Sequence, residues 1–436
     1  MNTTAYDECI QYTSELIRID TSNFGPGHDG PGERPAAEYI AAKLEEVGVH
    51  TDIYESEPRR ATLVANWEPA GCDTSLSPLL VHGHTDVVPA VPEDWAVHPF
   101  SGEIKDDCVW GRGAVDMKDF DAMVLAVVRD RIRTSRPSRR PIRLIFTADE
   151  ECGSPLGANW LTEHHPELIA DCQQAVGEVG GFSITAGQRR MYLIQTAEKG
   201  LAWLKLIVDG TAGHGSMRNA DNAVTELARA VADLGSYQWP VQLHPAQQAF
   251  LDSVGQALGV QITADTVEQT LAQLGSIARM VGATMGHTAN PTMLEAGYKA
   301  NVIPGQASAV VDGRYIPGRR EEFFETVRRV VGDKVRVEIL HEQPGVETDW
   351  GTSLTEAMTA AVTQFDPEAM MTPYIMSGGT DAKGWNRLGV QCFGFVPLKL
   401  PPELDFVGMF HGVDERVPVQ SLRFGVDVFD RFLDLA

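Results

Sequence analysis

Short apolar runs separated by stretches of helical periodicity fill the chain up to about residue 195, and this alternation constrains the fold more than any other feature. Apolar spacing over 5–19 and 34–47 predicts two helices, followed by strand-like runs at Ala61–Trp67 and Leu79–Thr85. A helix over 118–133 precedes a strand at Arg143–Thr147, a helix near 157–164 and a strand at Gln174–Val179. Strands separated by helices imply an α/β fold class, with a mostly parallel sheet flanked by helices. At 436 residues the chain exceeds one ordinary core, so two domains are expected.

A second unit follows. Leu201–Val208 reads as a strand, Asn222–Leu234 as a helix, and Thr292–Tyr298 and Ser308–Ile316 as strands. Glu321–Val331 reads as a helix with Phe323, Phe324, Val327, Val330 and Val331 on one stripe, and Val335–Leu340 as a last strand. The order β-α-β-β-α-β is that of a ferredoxin-like α+β domain, with 240–290 as a helical insertion within it. Helical and strand signals resume after about 345 and end in an amphipathic helix beginning near Pro418. The expected division is therefore 1–197 with 342–436 as one domain, and 198–341 inserted as the other.

Composition excludes several functions. A net charge of -24 argues against nucleic acid, whose phosphates demand basic surface. The one basic cluster, Arg129 to Arg143, reads as a solvated connector. No apolar stretch approaches the ~20 residues that span a bilayer, and the first residues read as a helix start after Thr4 rather than a secretory leader. Six cysteines (Cys9, Cys72, Cys108, Cys152, Cys172 and Cys392) lack paired spacing, so reduced thiols and a cytoplasmic location are expected.

Chemistry concentrates at strand ends, where ligands gather in parallel sheets. His84 and Asp86 stand two apart in Val81-His82-Gly83-His84-Thr85-Asp86, and side chains alternate along a strand, so the two are expected to point the same way. An aspartate so placed can accept the ring N–H and leave the other nitrogen for a metal, although a satisfied core histidine is the commoner arrangement. Asp116 lies in the glycine-bracketed Gly111–Lys118, and Glu178 follows the strand ending at Gly177. Asp149-Glu150-Glu151 closes another strand with three acids that repel one another unless something positive sits among them. His411 arrives near the end of the chain, in Phe410-His411-Gly412-Val413-Asp414-Glu415. Two histidines with several carboxylates suit Zn²⁺ or a similar divalent ion, and a shared carboxylate would hold two ions ~3.5–4 Å apart.

These five blocks, in their order along the chain (His84, Asp116, Glu150 and Glu151, Glu178, His411), resemble the M20 family of metallopeptidases, the group of carboxypeptidases, dipeptidases, aminoacylases and amino-acid deacylases. The resemblance runs through essentially the whole chain and implies a zinc-peptidase-like catalytic domain with a ferredoxin-like lid. It implies that His84 and Glu178 bind one metal, Glu151 and His411 the other, and that Asp116 bridges them. Asp86 would orient His84, and Glu150 would be the general base that takes a proton from the attacking water and passes one to the leaving amine. Two divalent ions are implied, with zinc favoured and cobalt or manganese able to use the same ligands.

The resemblance also reaches the lid. His214, in Gly213-His214-Gly215-Ser216, would stabilise the oxyanion, in many members across a homodimer interface; Met217-Arg218 stands where many members have a proline soon after. Asn301 would contact substrate. Arg314 would grip a substrate carboxylate, or else pair with Asp312. Gly379 and Thr380, in Ser377-Gly378-Gly379-Thr380-Asp381, would line the pocket with backbone N–H groups. Glutamate at 178 accompanies deacylases and carboxypeptidases in the broader group. The implied activity is hydrolysis of an amide next to an amino acid with a free carboxylate, on a small N-acyl amino acid or short peptide. A dipeptidase reading needs an acid for the substrate amine, with Asp381 or Glu198 as candidates. An inactive metal-binding interaction module would be expected to lose Glu150, which is present.

Overall fold

The computed structural model describes residues 4–263, 266–267 and 277–436. A ten-stranded sheet forms the larger unit. At its centre the strands Ile142–Thr147, Leu79–His84, Gln174–Gly177 and Gln391–Gly394 run parallel to one another. Antiparallel strands flank them, Thr51–Glu57 and Arg60–Trp67 on one side and the long Arg189–Glu198 on the other. The last also pairs with Ser183–Ala186 and Val346–Glu347 antiparallel and with Met370–Met376 parallel.

The continuous apolar runs have a simple cause. Successive side chains on a strand face opposite ways, and both faces of this sheet are covered. Leu79, Val81, Leu144, Phe146 and Val176 enter a core with the helices Ala5–Arg18, Lys118–Arg133 and Val419–Leu435. Leu80, Ile145 and Ala175, one position out of step, enter a second core around Trp385, Ala158 and Leu161. No helix among the described residues is long and apolar enough to cross a membrane.

The smaller unit is a four-stranded antiparallel sheet ordered Thr288–Ala296, Gln306–Tyr315, Gly200–Asp209, Arg336–Gln343. This is the ferredoxin-like order. Ala202, Leu204, Leu206 and Val208 alternate into its core, where Leu227 and Leu234 of the helix Ala223–Ser236 and Phe323, Phe324 and Val327 of the helix Arg320–Val331 cover one face.

Within the stretch 240–290, helices form at Pro245–Leu258 and Ile277–Gly282, while 264–265 and 268–276 lie outside the described residues. Phe250, Leu251, Val254 and Val281 join the core of the large sheet rather than that of the smaller one. The two lid helices already cover the one apolar face of the small sheet.

The basic run from Arg129 to Arg143 is not the solvated connector expected of it. Arg131 is fully buried and donates to Asp430 at 2.8 Å, Asp434 at 2.6 Å and the carbonyl of Pro137 at 2.6 Å. Arg136 holds Asp430 at 2.7 Å, and Arg139 donates to the carbonyl of Leu435 at 2.7 Å. The run clamps the last helix, whose acids lie about 300 positions away and leave no local trace. Replacing Arg131 with methionine is expected to cost about 3 kcal/mol, the lower end for a broken buried pair because both acids keep some access to water. Urea unfolding measures it; a loss below about 1 kcal/mol would put Arg131 with ordinary surface ion pairs.

Candidate active site

The central parallel strands end side by side and deliver the acidic and imidazole groups together. Leu79–His84 ends on His84, and Gly83 before it has no room for a side chain, because a Cβ would overlap the Asp121 carboxylate. Ile142–Thr147 leads into the turn of Glu150 and Glu151, entered through Asp149 in the left-handed region at φ 62°. Gln174–Gly177 delivers Glu178. Asp116 comes from the loop before the helix Lys118–Arg133, and the exposed His411 from the loop after Val407–Met409.

His84 Nε2 lies 3.1 Å from Asp116 Oδ1 and 3.4 Å from Glu178 Oε2. His411 Nε2 lies 3.0 Å from Glu151 Oε2 and 3.5 Å from Asp116 Oδ2. Two ligand triads result, His84–Asp116–Glu178 and Asp116–Glu151–His411, each with its donor atoms within 4.8 Å of one another and sharing Asp116. Glu150 stands beside them with Oε2 3.9 Å from His84 Nε2, outside either triad.

The cluster is short of positive charge. Among the described residues, the cationic partners of Asp116, Glu150, Glu151 and Glu178 at ion-pair distance are the two histidines alone. Burial, with the charge of Glu178 next, raises the Glu150 pKa well above the carboxylate range. Burial pushes Glu178 up to about 8, and its buried Oε1 has no hydrogen-bond partner. Burial disfavours a charge on His84, yet Glu178 and Asp116 outweigh it and hold that imidazole well above its usual pKa. Hydrogen bonds to Asp116 and Glu151 raise His411 to about 10. An unpartnered carboxylate oxygen, displaced titrations and mixed N/O donors fit divalent cations.

Three supporting groups hold this arrangement, and sequence reasoning found only one. Asp86 touches His84 Nδ1 mainly through its backbone carbonyl, at 3.0 Å, with its carboxylate at 3.5 Å. That carboxylate accepts from the amides of Glu150 and Glu151 at 3.0 and 3.1 Å and from Asn23 Nδ2 at 2.9 Å. Asp86 therefore anchors the turn of Glu150 and Glu151 as well as His84. Asn23 also donates to Asp149 at 2.9 Å and accepts from Arg60 at 2.8 Å. Glu415, fully buried, accepts from Arg112 at 2.8 Å and from the amides of Gly113, Val115 and Asp116 at 3.0, 2.7 and 3.2 Å. Its place in the same block as His411 was the one available signal.

Beside the cluster lies a cavity of about 670 Å³. One wall carries Phe182, Tyr374, Met376 and Phe410 from the large unit, and the other Leu201 and Trp203 from the small one. Arg314, Gly379 and Thr380 also line it.

A model of the peptidase family M20/M25/M40 matches residues 80–435. The chain belongs to this family. The M20 chain is 29% identical over 372 residues to the N-fatty-acyl-amino acid synthase/hydrolase PM20D1 of Homo sapiens, covering 80% of this chain and 72% of that protein. It is 26% identical over 430 residues to aminoacylase-1 of Sus scrofa, covering 96% and 93%. Its fold matches the M20 family metallo-carboxypeptidase Sso-CP2 of Sulfolobus solfataricus with a TM-score of 0.74 at 19% identity, covering 98% and 99%. As a member of this family the protein is a metal-dependent hydrolase of amide or peptide C–N bonds.

The remaining residues singled out in the M20 chain are less uniformly placed. Arg314 reaches the cavity, but its Nε and Nη2 are held by Asp312 at 2.7 and 3.0 Å. The Thr380 amide, expected to face substrate, donates to Glu198 Oε2 at 3.2 Å. His214 lies on the ribbon of Gly213–His214 and Val302–Ile303, with Asn301 just beside it accepting from the Gly215 amide at 2.9 Å through its backbone carbonyl, and both are exposed and outside the cavity wall of their own chain. His214 Nδ1 meets Ser216 Oγ at 2.8 Å.

Proposed function

We propose that this M20 hydrolase cleaves N-acyl amino acids, at an amide whose amine side is an amino acid with a free carboxylate and whose acyl side is bulky and apolar. One observation carries the reading: every carboxylate on the cavity wall, among the described residues, belongs to the metal-fitting cluster or to Glu150. The two acids considered for holding a substrate amine are closed off. Glu198 is fully buried on Thr380, Gln195 and Lys383, and Asp381 is buried on Thr147 and Ser154. A free ammonium would find no carboxylate there outside the metal-fitting cluster and Glu150, whereas an acyl chain suits Phe182, Leu201, Trp203, Tyr374, Met376 and Phe410. The name of the PM20D1 relative agrees with such a substrate.

In this reading His84 and Glu178 would hold one divalent ion, Glu151 and His411 a second, and Asp116 both, with zinc favoured by the donor set. Such ions, when bound, polarise the amide carbonyl and bring the pKa of water near neutrality. Glu150, beside both triads and part of neither, takes a proton from the attacking water and hands it to the leaving nitrogen. Arg314 keeps Asp312 on one edge and offers Nη1 to the substrate carboxylate. His214, exposed on the lid ribbon, serves the oxyanion in the site of a second subunit, so the working form is a homodimer through the lid.

The test is a panel of N-acyl amino acids of rising acyl length beside the matching free dipeptides, each with added Zn²⁺, Co²⁺ or Mn²⁺. Long-chain N-acyl substrates are expected to exceed dipeptides by tenfold or more in kcat/KM, about 1.4 kcal/mol or more of discrimination. Dipeptides turned over as well as their N-acylated counterparts would overturn the assignment.

A further inference from the structure

The cavity has walls from two units, and a single buried ammonium joins the chain segments that set their spacing. Lys383, 3% exposed, donates from Nζ to the carbonyl of Lys199 at 2.8 Å and to the carbonyl of Pro344 at 3.0 Å. Lys199 and Pro344 sit where the chain passes from the large sheet into the lid strand Gly200–Asp209 and back out after Arg336–Gln343. The same Nζ lies 3.5 Å from Glu198 Oε2. Glu198 in turn accepts from the amide of Thr380 at 3.2 Å and from its hydroxyl at 2.5 Å, so the cavity loop is tied to the same point. The stem of Lys383 runs beneath that loop: a Cβ on Gly379 would come within 2.6 Å of Lys383 Cε. Lys199 extends the tie, donating to the carbonyls of Ala283 and Gly286 at 3.0 and 2.7 Å, just before the lid strand Thr288–Ala296 begins.

Simple packing does not require this chemistry. A buried ammonium costs free energy unless fully partnered, and an apolar side chain would fill the same volume more cheaply. What the ammonium adds is direction: its bonds fix two chain crossings and, through Glu198, the loop that faces the substrate. We propose that Lys383 is a positioning residue that registers the loop Ser377–Thr380 against the interdomain crossings, and so sets the relation between the two walls of the substrate cavity. Lys383 touches no substrate. It acts through Glu198 and Thr380 on one side and through the carbonyls of Lys199 and Pro344 on the other. The proposal rests on the substrate reading only in using that cavity.

Hydrogen exchange followed by mass spectrometry on the substrate-free full chain tests it without reference to any substrate. In Lys383→Met, amides of 377–381, 198–201 and 343–346 are expected to exchange together about tenfold faster, while Ile142–Thr147 and Gln306–Tyr315 keep their protection. Lys383→Arg, which keeps the charge, is expected to restore part of that protection. With a turned-over substrate, Lys383→Met is expected to raise KM about tenfold with kcat nearly unchanged. Faster exchange confined to 377–381, or spread evenly through both sheets, would overturn the proposal in favour of a local or merely structural role. Should Lys383→Met not fold, Thr380→Val decides: it removes the hydroxyl donor to Glu198, and unchanged exchange at 198–201 would refute the coupling.

Discussion

Replacing Glu150 with glutamine is expected to lower kcat by about 10²–10⁴-fold while the bound metal content stays as in the unaltered protein. The expectation follows from position. Glu150 lies outside both ligand triads, yet its Oε2 is 3.9 Å from His84 Nε2, close enough to reach a water held among the same groups. Glutamine keeps the shape and removes the proton acceptor. Steady-state kinetics paired with elemental analysis separates the outcomes: activity within tenfold of the parent would remove Glu150 from the proton transfer, and loss of metal would make it a ligand.

Glu415→Gln is expected to weaken divalent-ion binding at both sites in step, by about 10–100-fold, although Glu415 belongs to neither triad. Its carboxylate collects the amides of Gly113, Val115 and Asp116 and the guanidinium of Arg112, and thereby sets where the shared Asp116 points. An amide in its place turns one acceptor into a donor aimed at N–H groups, and it surrenders the charge opposite Arg112. Because Asp116 serves both triads, both affinities move together, which separates this effect from loss of His84 or His411. Calorimetric titration of the metal-free protein measures it. Unchanged affinities, or the loss of one ion only, would show that Glu415 does not govern Asp116.

The parts of the fold legible in the sequence are those with a local signature. The parallel centre announced itself as apolar runs between helices, and the lid as its β-α-β-β-α-β order with the Phe323–Val331 stripe. The acids and imidazoles could be picked out because each sits at or near an element's end, in a short run of glycines or charges. Groups whose partners are distant in the chain were not legible. Arg131 looks like any surface arginine until the last helix brings Asp430 and Asp434 to it. Asn23 and Arg60 carry no motif, yet they complete the bonding of Asp86 and Asp149. The helix Pro245–Leu258 has an apolar face, but nothing local says which core will take it.

Sequence alone determined the layered α/β architecture, the ferredoxin-like order of the inserted unit, and which acids and histidines stand at strand ends, because periodicity and turn chemistry act over a few residues. Only the tertiary structure decided that Asp116 lies between His84 and His411, that Glu415 grips the Asp116 loop from 299 positions away, and that Glu198 and Asp381 are shut inside rather than facing substrate. A hydrogen bond or a burial is a property of two surfaces meeting, and each segment encodes only one of them.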